Sequence, residues 1–168
     1  LKRNPELLSR RMKVKEKEPQ PAIIRFLSFL SLFAFLVPGF DYRYHWSAVP
    51  VWIVILASAL VFLGYLFIFL VFKENSYAST VIQVEKEQPV ITTGPYAVVR
   101  HPMYTGLLII QLFTPLALGS YWALIFSLLF VPMIMFRIKK EEELLLRDLP
   151  GYADYANTIR YRLVPYVW

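Results

Sequence analysis

The chain of 168 residues contains no cysteine, which excludes disulfides, thiolate metal centres and thiol nucleophiles. It has only two histidines, His45 and His101, far apart in sequence, so no metal site is expected. Charge is also scarce. Charged residues make up 18% of the chain and hydrophobic residues 57%, against about 25% and about 45–50% in soluble domains. Mean hydropathy is +0.48. This shortage of charge points to a membrane protein. No signal-peptide pattern of charged end, apolar run and small-residue cleavage site opens the chain. It starts at Leu1 without an initiator Met, so an upstream segment is expected.

What is present is a series of apolar runs. Residues 1–21 form a basic juxtamembrane segment, in which Leu7, Leu8 and Met12 fit either an interfacial helix or a polar tail. Residues 22–40 make a first span, followed by a short loop over 41–47. Tyr42, Tyr44, Trp46 and Trp52 resemble an aromatic belt at the bilayer surface. Residues 48–72 are an unbroken apolar run, roughly 37 Å as a helix and long enough to cross a hydrocarbon core of about 30 Å. A polar segment, 73–101, follows. Within it Val81-Ile82-Gln83-Val84 and Val90-Ile91-Thr92-Thr93 have the composition of a small β-hairpin. Residues 102–138 read as an antiparallel helical hairpin broken at Gly119-Ser120-Tyr121-Trp122, with Pro132 as a kink site. The pattern predicts one membrane-embedded, all-α domain of about four transmembrane helices, with a loop and a tail (139–168) on one side.

Charge sets the orientation. With four spans, segments 1–21, 73–101 and the region from Arg137 onward share one face and carry seven, three and six basic residues. The other face holds Arg43 alone. This is a positive-inside distribution, so the loop, the tail and both visible termini are expected to be cytoplasmic. It also accounts for the net charge of +6, and no nucleic-acid partner is expected.

The stretch 92–106 lies between apolar runs yet gathers an Arg, a His, two Gly and two Pro. Gly94-Pro95 marks a turn. Pro102 suits the first position of a helix, where its missing N–H costs nothing, and leaves His101 at the helix entrance. Free N–H groups of Met103, Tyr104 and Thr105, beside Arg100, are expected to form an anion-favouring corner. Gly106 lets a backbone or ligand approach closely.

The last helix is expected to run past the membrane to Leu149. At 100° per residue, Ile138, Glu142, Leu145 and Leu149 fall within about 60° of one another. Glu143 lies on the opposite face, where pairing with Lys139 and Arg147 is expected. Glu142 shares the leucine face, where a carboxylate needs a partner. That partner is either a structural cation, Arg100 or Arg162, or the polar groups of a cofactor. Tyr152 and Tyr161 read as interfacial anchors.

Gly94-Pro95-Tyr96 followed by Arg100-His101-Pro102-x-Tyr104-x-Gly106 resembles the signature of the isoprenylcysteine carboxyl methyltransferases and their phospholipid methyltransferase relatives. Glu141-Glu142-Glu143-Leu144-Leu145, Gly151-x-x-x-Tyr155 and Arg162-Leu163-Val164-Pro165 are similar to that family's C-terminal pattern. The resemblance covers roughly the second half of the chain. It implies an integral membrane enzyme using S-adenosylmethionine, with a further helix upstream of Leu1. It singles out Arg100, Glu142 and Arg162 as catalytic, and Gly94, Tyr96, His101, Pro102, Tyr104, Gly106, Glu141, Glu142 and Tyr155 as cofactor-binding.

The implied acceptor is lipophilic and reaches the site from the bilayer: an isoprenylcysteine-type carboxylate or, alternatively, a phospholipid amine. A carboxylate needs no general base, whereas an ammonium must first lose a proton. The chain offers no dedicated base beyond His101 and the glutamates, which favours the carboxylate. An NADPH-dependent membrane reductase of related architecture and a non-catalytic scaffold are the remaining classes.

Overall fold

The computed structural model describes residues 21–75 and 88–168. The interfacial helix weighed within 1–21 and the hairpin arm at Val81-Ile82-Gln83-Val84 lie outside these residues. The described chain is helical: α1 (Pro21–Tyr44), α2 (Val51–Glu74), a 3-10 turn (Gly94–Ala97), α3 (Pro102–Ala117), α4 (Leu124–Asp148) and α5 (Tyr152–Thr158). The other arm of the expected hairpin, residues 90–93, forms no strand.

Helices α1 and α2 are each 24 residues long, about 36 Å at 1.5 Å per residue. Both are long and apolar enough to cross a membrane. Only 11% of the apolar window of α2 is buried within the protein, so lipid must cover its remaining surface. Helix α3 has 16 residues, about 24 Å, shorter than a bilayer core of about 30 Å. Helix α4 runs unbroken for 25 residues and carries its apolar half into a charged half.

Packing follows residue size. Helix α2 packs on α3, α1 packs on α4, and α3 bridges α4 and α1. The α2–α3 contact is close because Gly64 and Gly106 face the partner helix. A Cβ on Gly106 would stand 2.6 Å from Ile68 Cγ1, and one on Gly64 2.8 Å from Ile110 Cγ1. Small residues allow such approach between membrane helices. The main core joins Leu27 and Leu30 of α1, Tyr104 of α3, Phe130, Ile134 and Ile138 of α4, and Leu163 of the tail.

The first span continues past the expected boundary at residue 40, since α1 includes Asp41–Tyr44. Asp41 reads as a loop residue from sequence, but it is 1% exposed and its carboxylate has distant partners. The Ser47 backbone N–H donates to Asp41 Oδ1 at 2.7 Å, and the Ser47 and Ser120 hydroxyls donate to Oδ2. One buried carboxylate thus ties the end of α1 to the α3–α4 turn. Tyr42, Tyr44, Trp46 and Trp52 beside it are all exposed, as a bilayer-surface belt requires.

Candidate active site

The site forms where the tail closes over the start of α3. The N–H groups of Arg100 and His101 donate to the carbonyls of Tyr161 and Arg162, both at 2.9 Å. Thr105 Oγ1 donates to the Leu163 carbonyl at 2.8 Å. These bonds hold residues 161–163 against the His101-Pro102 helix entrance. Pro102, at the first helical position, is fully buried and offers no donor to satisfy.

Glu142 rises from the leucine face of α4 into this closure and is 7% exposed. Arg162 Nε donates to Oε2 at 2.7 Å, and His101 Nε2 lies 3.2 Å from Oε1. Arg100 Nε is 2.8 Å from Oε1, a charge contact whose N–H is not aligned as a hydrogen bond. The directed bonds of Arg100 run from Nη1 to the Ala156 and Ile159 carbonyls at 2.9 and 3.1 Å, which fixes α5 beneath it. Burial pushes the Glu142 carboxyl upward. Hydrogen bonds from His101 and Arg162 and the nearby charges of His101 and Arg100 outweigh it, bringing the pKa to about 2. Two guanidinium groups against one carboxylate leave a surplus positive charge. Arg162, with a third of its side chain exposed, carries it toward solvent over the Trp168 ring.

A second polar group lies one turn deeper. The Tyr104 hydroxyl donates to Glu141 Oε2 at 2.7 Å and accepts from Arg137 Nε at 2.9 Å. The Tyr104 ring centroid is 6.0 Å from that of His101. Tyr104 and Arg137 also line a cleft of about 530 Å³ that is otherwise mostly apolar and receives residues from α1, α2, α3 and α4. The cleft occupies the space between α1 and α2, which make little contact with each other. Tyr104 therefore belongs to both the ionic cluster and the apolar cleft.

The remaining expected site residues are arranged around these groups. Gly94 has φ +57°, and a Cβ there would come within 3.0 Å of the Glu74 side chain. Thr93 Oγ1 donates to that Glu74 carboxylate, so the loop returns to the end of α2. Asn75 Nδ2 donates to the Tyr96 hydroxyl at 3.0 Å, and the Tyr155 hydroxyl donates to the Tyr96 carbonyl at 2.8 Å. Burial pushes the Tyr96 phenol up to about 12 and the Tyr155 phenol up as well. Tyr155 also lines a separate hollow of about 460 Å³ between residues 90–92 and α5. Among the described residues no group of three or more His, Cys, Asp or Glu could hold a metal ion.

Three expectations need correction, whereas the close backbone approach expected at Gly106 is made by α2, where a Cβ on Gly64 would stand 3.5 Å from the Gly106 carbonyl oxygen. The N–H groups of Tyr104 and Thr105 both donate to the His101 carbonyl, and Arg100 turns to Glu142, so the anion-favouring corner is filled by the chain itself. Glu143 pairs with Lys140 at 2.7 Å instead of Lys139 or Arg147, and Arg147 pairs with Asp148. Tyr152 is no surface anchor: it is 4% exposed and its hydroxyl has no hydrogen-bond partner among the described residues. Glu142, Arg100 and Glu141 all bear on its titration, and burial pushes its pKa upward.

Arg137 and Tyr152 are two polar groups that the sequence pattern does not assign to the site. Arg137 stands four residues before Glu141, at the end of the apolar run, where it reads only as an orientation charge. Tyr152, packed with Leu149 and Tyr155, needs the tertiary contact of α5 with α4 to be recognised.

Residues 52–150 match the model of a family described as phospholipid methyltransferase. Over 107 residues, 61% of the chain, the sequence is 29% identical to the nickel-cobalt-cadmium resistance protein NccN of Alcaligenes xylosoxydans xylosoxydans, and the match covers 48% of that protein. The fold is similar to that of a eukaryotic intramembrane Ras methyltransferase, isoprenylcysteine carboxyl methyltransferase. The TM-score is 0.69 at 19% identity, over 83% of this chain and 52% of that one. The chain thus spans about half the length of these two proteins.

Proposed function

The chain belongs to the phospholipid methyltransferase family, and from that membership we propose an S-adenosylmethionine-dependent methyltransferase whose lipophilic acceptor ends in an isoprenylcysteine-type carboxylate. The observation that carries this reading is the double membership of Tyr104. Its hydroxyl joins Glu141 and Arg137, next to the Glu142 cluster through His101, while the same residue lines an apolar cleft between membrane helices. A polar donor pocket and a lipid-facing acceptor path would then meet at one side chain.

The residues suit the proposed cofactor by charge and shape. The surplus cation of the Arg100–Glu142–Arg162 cluster fits a carboxylate, Glu141 fits an ammonium, and the Tyr152 hydroxyl is a buried group still to be satisfied. S-adenosylmethionine, when bound, supplies an electrophilic methyl group on a positively charged sulfur. Arg100, His101 and Glu142 hold one another rigidly and preorganise the pocket. Leu163 and the tail exclude water from above, since the tail's backbone is bonded to residues 100–105. With that donor held by the Arg100–Glu142–Arg162 cluster and Glu141, an acceptor carboxylate would gain an O–CH₃ bond in exchange for the S–CH₃ bond, so charge would cancel and no proton would need to move. No general base is then required of the chain.

The basic residues on one face support an active site on the cytoplasmic side of the bilayer. The family's name favours a second reading, an amine-bearing phospholipid as acceptor. Incubating the purified protein with tritiated-methyl S-adenosylmethionine separates the two. Base-labile label in prenylcysteine, with none in phosphatidylethanolamine, is expected. Label confined to the phospholipid would replace the carboxylate reading, and label in neither would remove the proposal.

A further inference from the structure

Residues 161–168 close on themselves as a tight loop. The N–H groups of Arg162 and Leu163 donate to the Trp168 carbonyl at 2.8 and 3.0 Å, and those of Val167 and Trp168 donate to the Val164 carbonyl, both at 3.2 Å. The Arg162 guanidinium carbon lies 5.1 Å from the centroid of the Trp168 ring. The loop so held presents apolar side chains that the protein does not cover. Tyr166 is 89% exposed, Val167 78% and Val164 46%. Tyr166 has φ +65°, a costly conformation for a bulky residue, and its ring meets that of Tyr161 with centroids 5.2 Å apart. Depth follows from packing. Trp168 packs against the core shared by α1, α3 and α4, as does Ile23 in the first turn of α1. The loop therefore stands where α1 enters its apolar span. From Tyr155 to Trp168 the chain carries two arginines and no acidic residue, and Arg160 is exposed.

We propose that this loop docks on the lipid surface of the leaflet on the active-site side. Tyr166 and Val167 enter the boundary between headgroups and acyl chains, and Arg160 lies against anionic headgroups. A tyrosine suits that boundary because its ring is apolar and its hydroxyl stays wet. Tyr161, an interfacial anchor by its sequence, supplies the second ring. The absence of acidic residues from 155–168 removes repulsion from an anionic surface, and each basic residue near it adds attraction. Docking bears on the site because the same loop covers it. Its Tyr161 and Arg162 carbonyls accept from the N–H groups of Arg100 and His101, and its Leu163 carbonyl accepts from Thr105. A loop held by lipid keeps this cover shut, and a loop released into water lets it open more often.

The chain has no cysteine, so one introduced thiol can carry a single spin label. Val167→Cys is labelled and placed in nanodiscs of phosphatidylcholine with phosphatidylglycerol, beside Asn157→Cys on the exposed side of α5. Oxygen, which partitions into lipid, should relax the label at 167 more than a water-soluble nickel chelate does, and the order should reverse at 157. Nickel access at 167 should rise in phosphatidylcholine alone; equal access in both lipids would take Arg160 out of the proposal. A label at 167 as open to the chelate as the one at 157 overturns the docking. So does a label shielded from both reagents, which would mean that a second copy or another protein covers the loop. Hydrogen exchange tests the link to the site. In nanodiscs the amides of Arg100 and His101 should exchange ~tenfold faster in Val167→Asp than in the wild type, with Val167→Leu keeping the slow rate. The exposure of Val167 leaves the core packing intact in both variants. Exchange that ignores the aspartate overturns the coupling of loop to cover. Neither measurement involves cofactor or methyl transfer, so failure of the methyltransferase reading leaves both decisive.

Discussion

Arg162 Nε donates to Glu142 Oε2 at 2.7 Å, joining the tail to α4 through a carboxylate that is 9% exposed on one side and a guanidinium that is 33% exposed on the other. The asymmetry has an energetic consequence. Removing the buried carboxylate leaves Arg100 buried without its counter-charge, whereas removing Arg162 leaves Glu142 still held by Arg100 and His101. Loss of one partner from a buried ion pair costs about 3–5 kcal/mol, and exposed pairs contribute about 0–1 kcal/mol. Glu142→Gln keeps the shape and one acceptor oxygen, so its cost falls near the lower end of the buried range, ~3 kcal/mol. Arg162→Gln costs ~1 kcal/mol. Denaturation of both variants in the same detergent checks the order, and a costlier Arg162 variant would contradict it.

Acid should expose the same carboxylate. Its folded pKa, about 2, lies below the 4.5 of an unperturbed glutamate. The stability it contributes is fully present above about pH 4.5 and is lost as pH falls through about 2. The opposite sign applies to Tyr96, raised to about 12 from 10.0, whose contribution is present below pH 10 and lost as pH rises through 12. Comparing the wild type with Glu142→Gln in acid and with Tyr96→Phe in alkali isolates each limb. Each variant should lose less stability than the wild type on its own limb and match it on the other, where the remaining shifted groups still titrate.

Helix packing makes a steric prediction. Gly64→Ala and Gly106→Ala each force a Cβ to within 3 Å of an isoleucine Cγ1, close to the helix axis where little can move. Overpacking of this kind costs about 1–3 kcal/mol. Gly39→Ala meets nothing within 4 Å and replaces a poor helix former within α1, so it should be neutral or stabilise by up to about 1 kcal/mol. Thermal unfolding of the three variants tests the contrast.

Tyr152→Phe separates structure from ligand binding. A buried hydroxyl without a partner weakens the fold, so deleting it should leave stability unchanged or raise it slightly. If the hydroxyl serves the cofactor, the same variant should bind S-adenosylmethionine about tenfold more weakly, roughly the worth of one hydrogen bond in a dry site. A stable variant with wild-type affinity would take Tyr152 out of the site.

These residues show what could be read from the sequence. The position of Glu142 was legible because it shares the 3.6-residue face of Ile138 and Leu149, a local property of one helix. Its partners were named only as alternatives, because the bonds bringing Arg162 to His101 join residues about 60 apart. The course of α2 was legible from unbroken apolarity. The end of α1 was not, because Asp41 stays helical through Ser47 and Ser120, which pairwise sequence patterns do not reveal. Arg137 was read for the sign of its charge alone; its place in a cleft lined by four helices is purely tertiary.

The most direct measurement is calorimetric titration of S-adenosylmethionine into the folded protein in nanodiscs, beside Glu142→Gln and beside NADPH as the rival ligand. Saturable binding of S-adenosylmethionine to the wild type, lost or much weakened in Glu142→Gln and absent for NADPH, is the predicted result. Binding of NADPH in its place, or binding of S-adenosylmethionine that ignores the Glu142 substitution, would contradict the account.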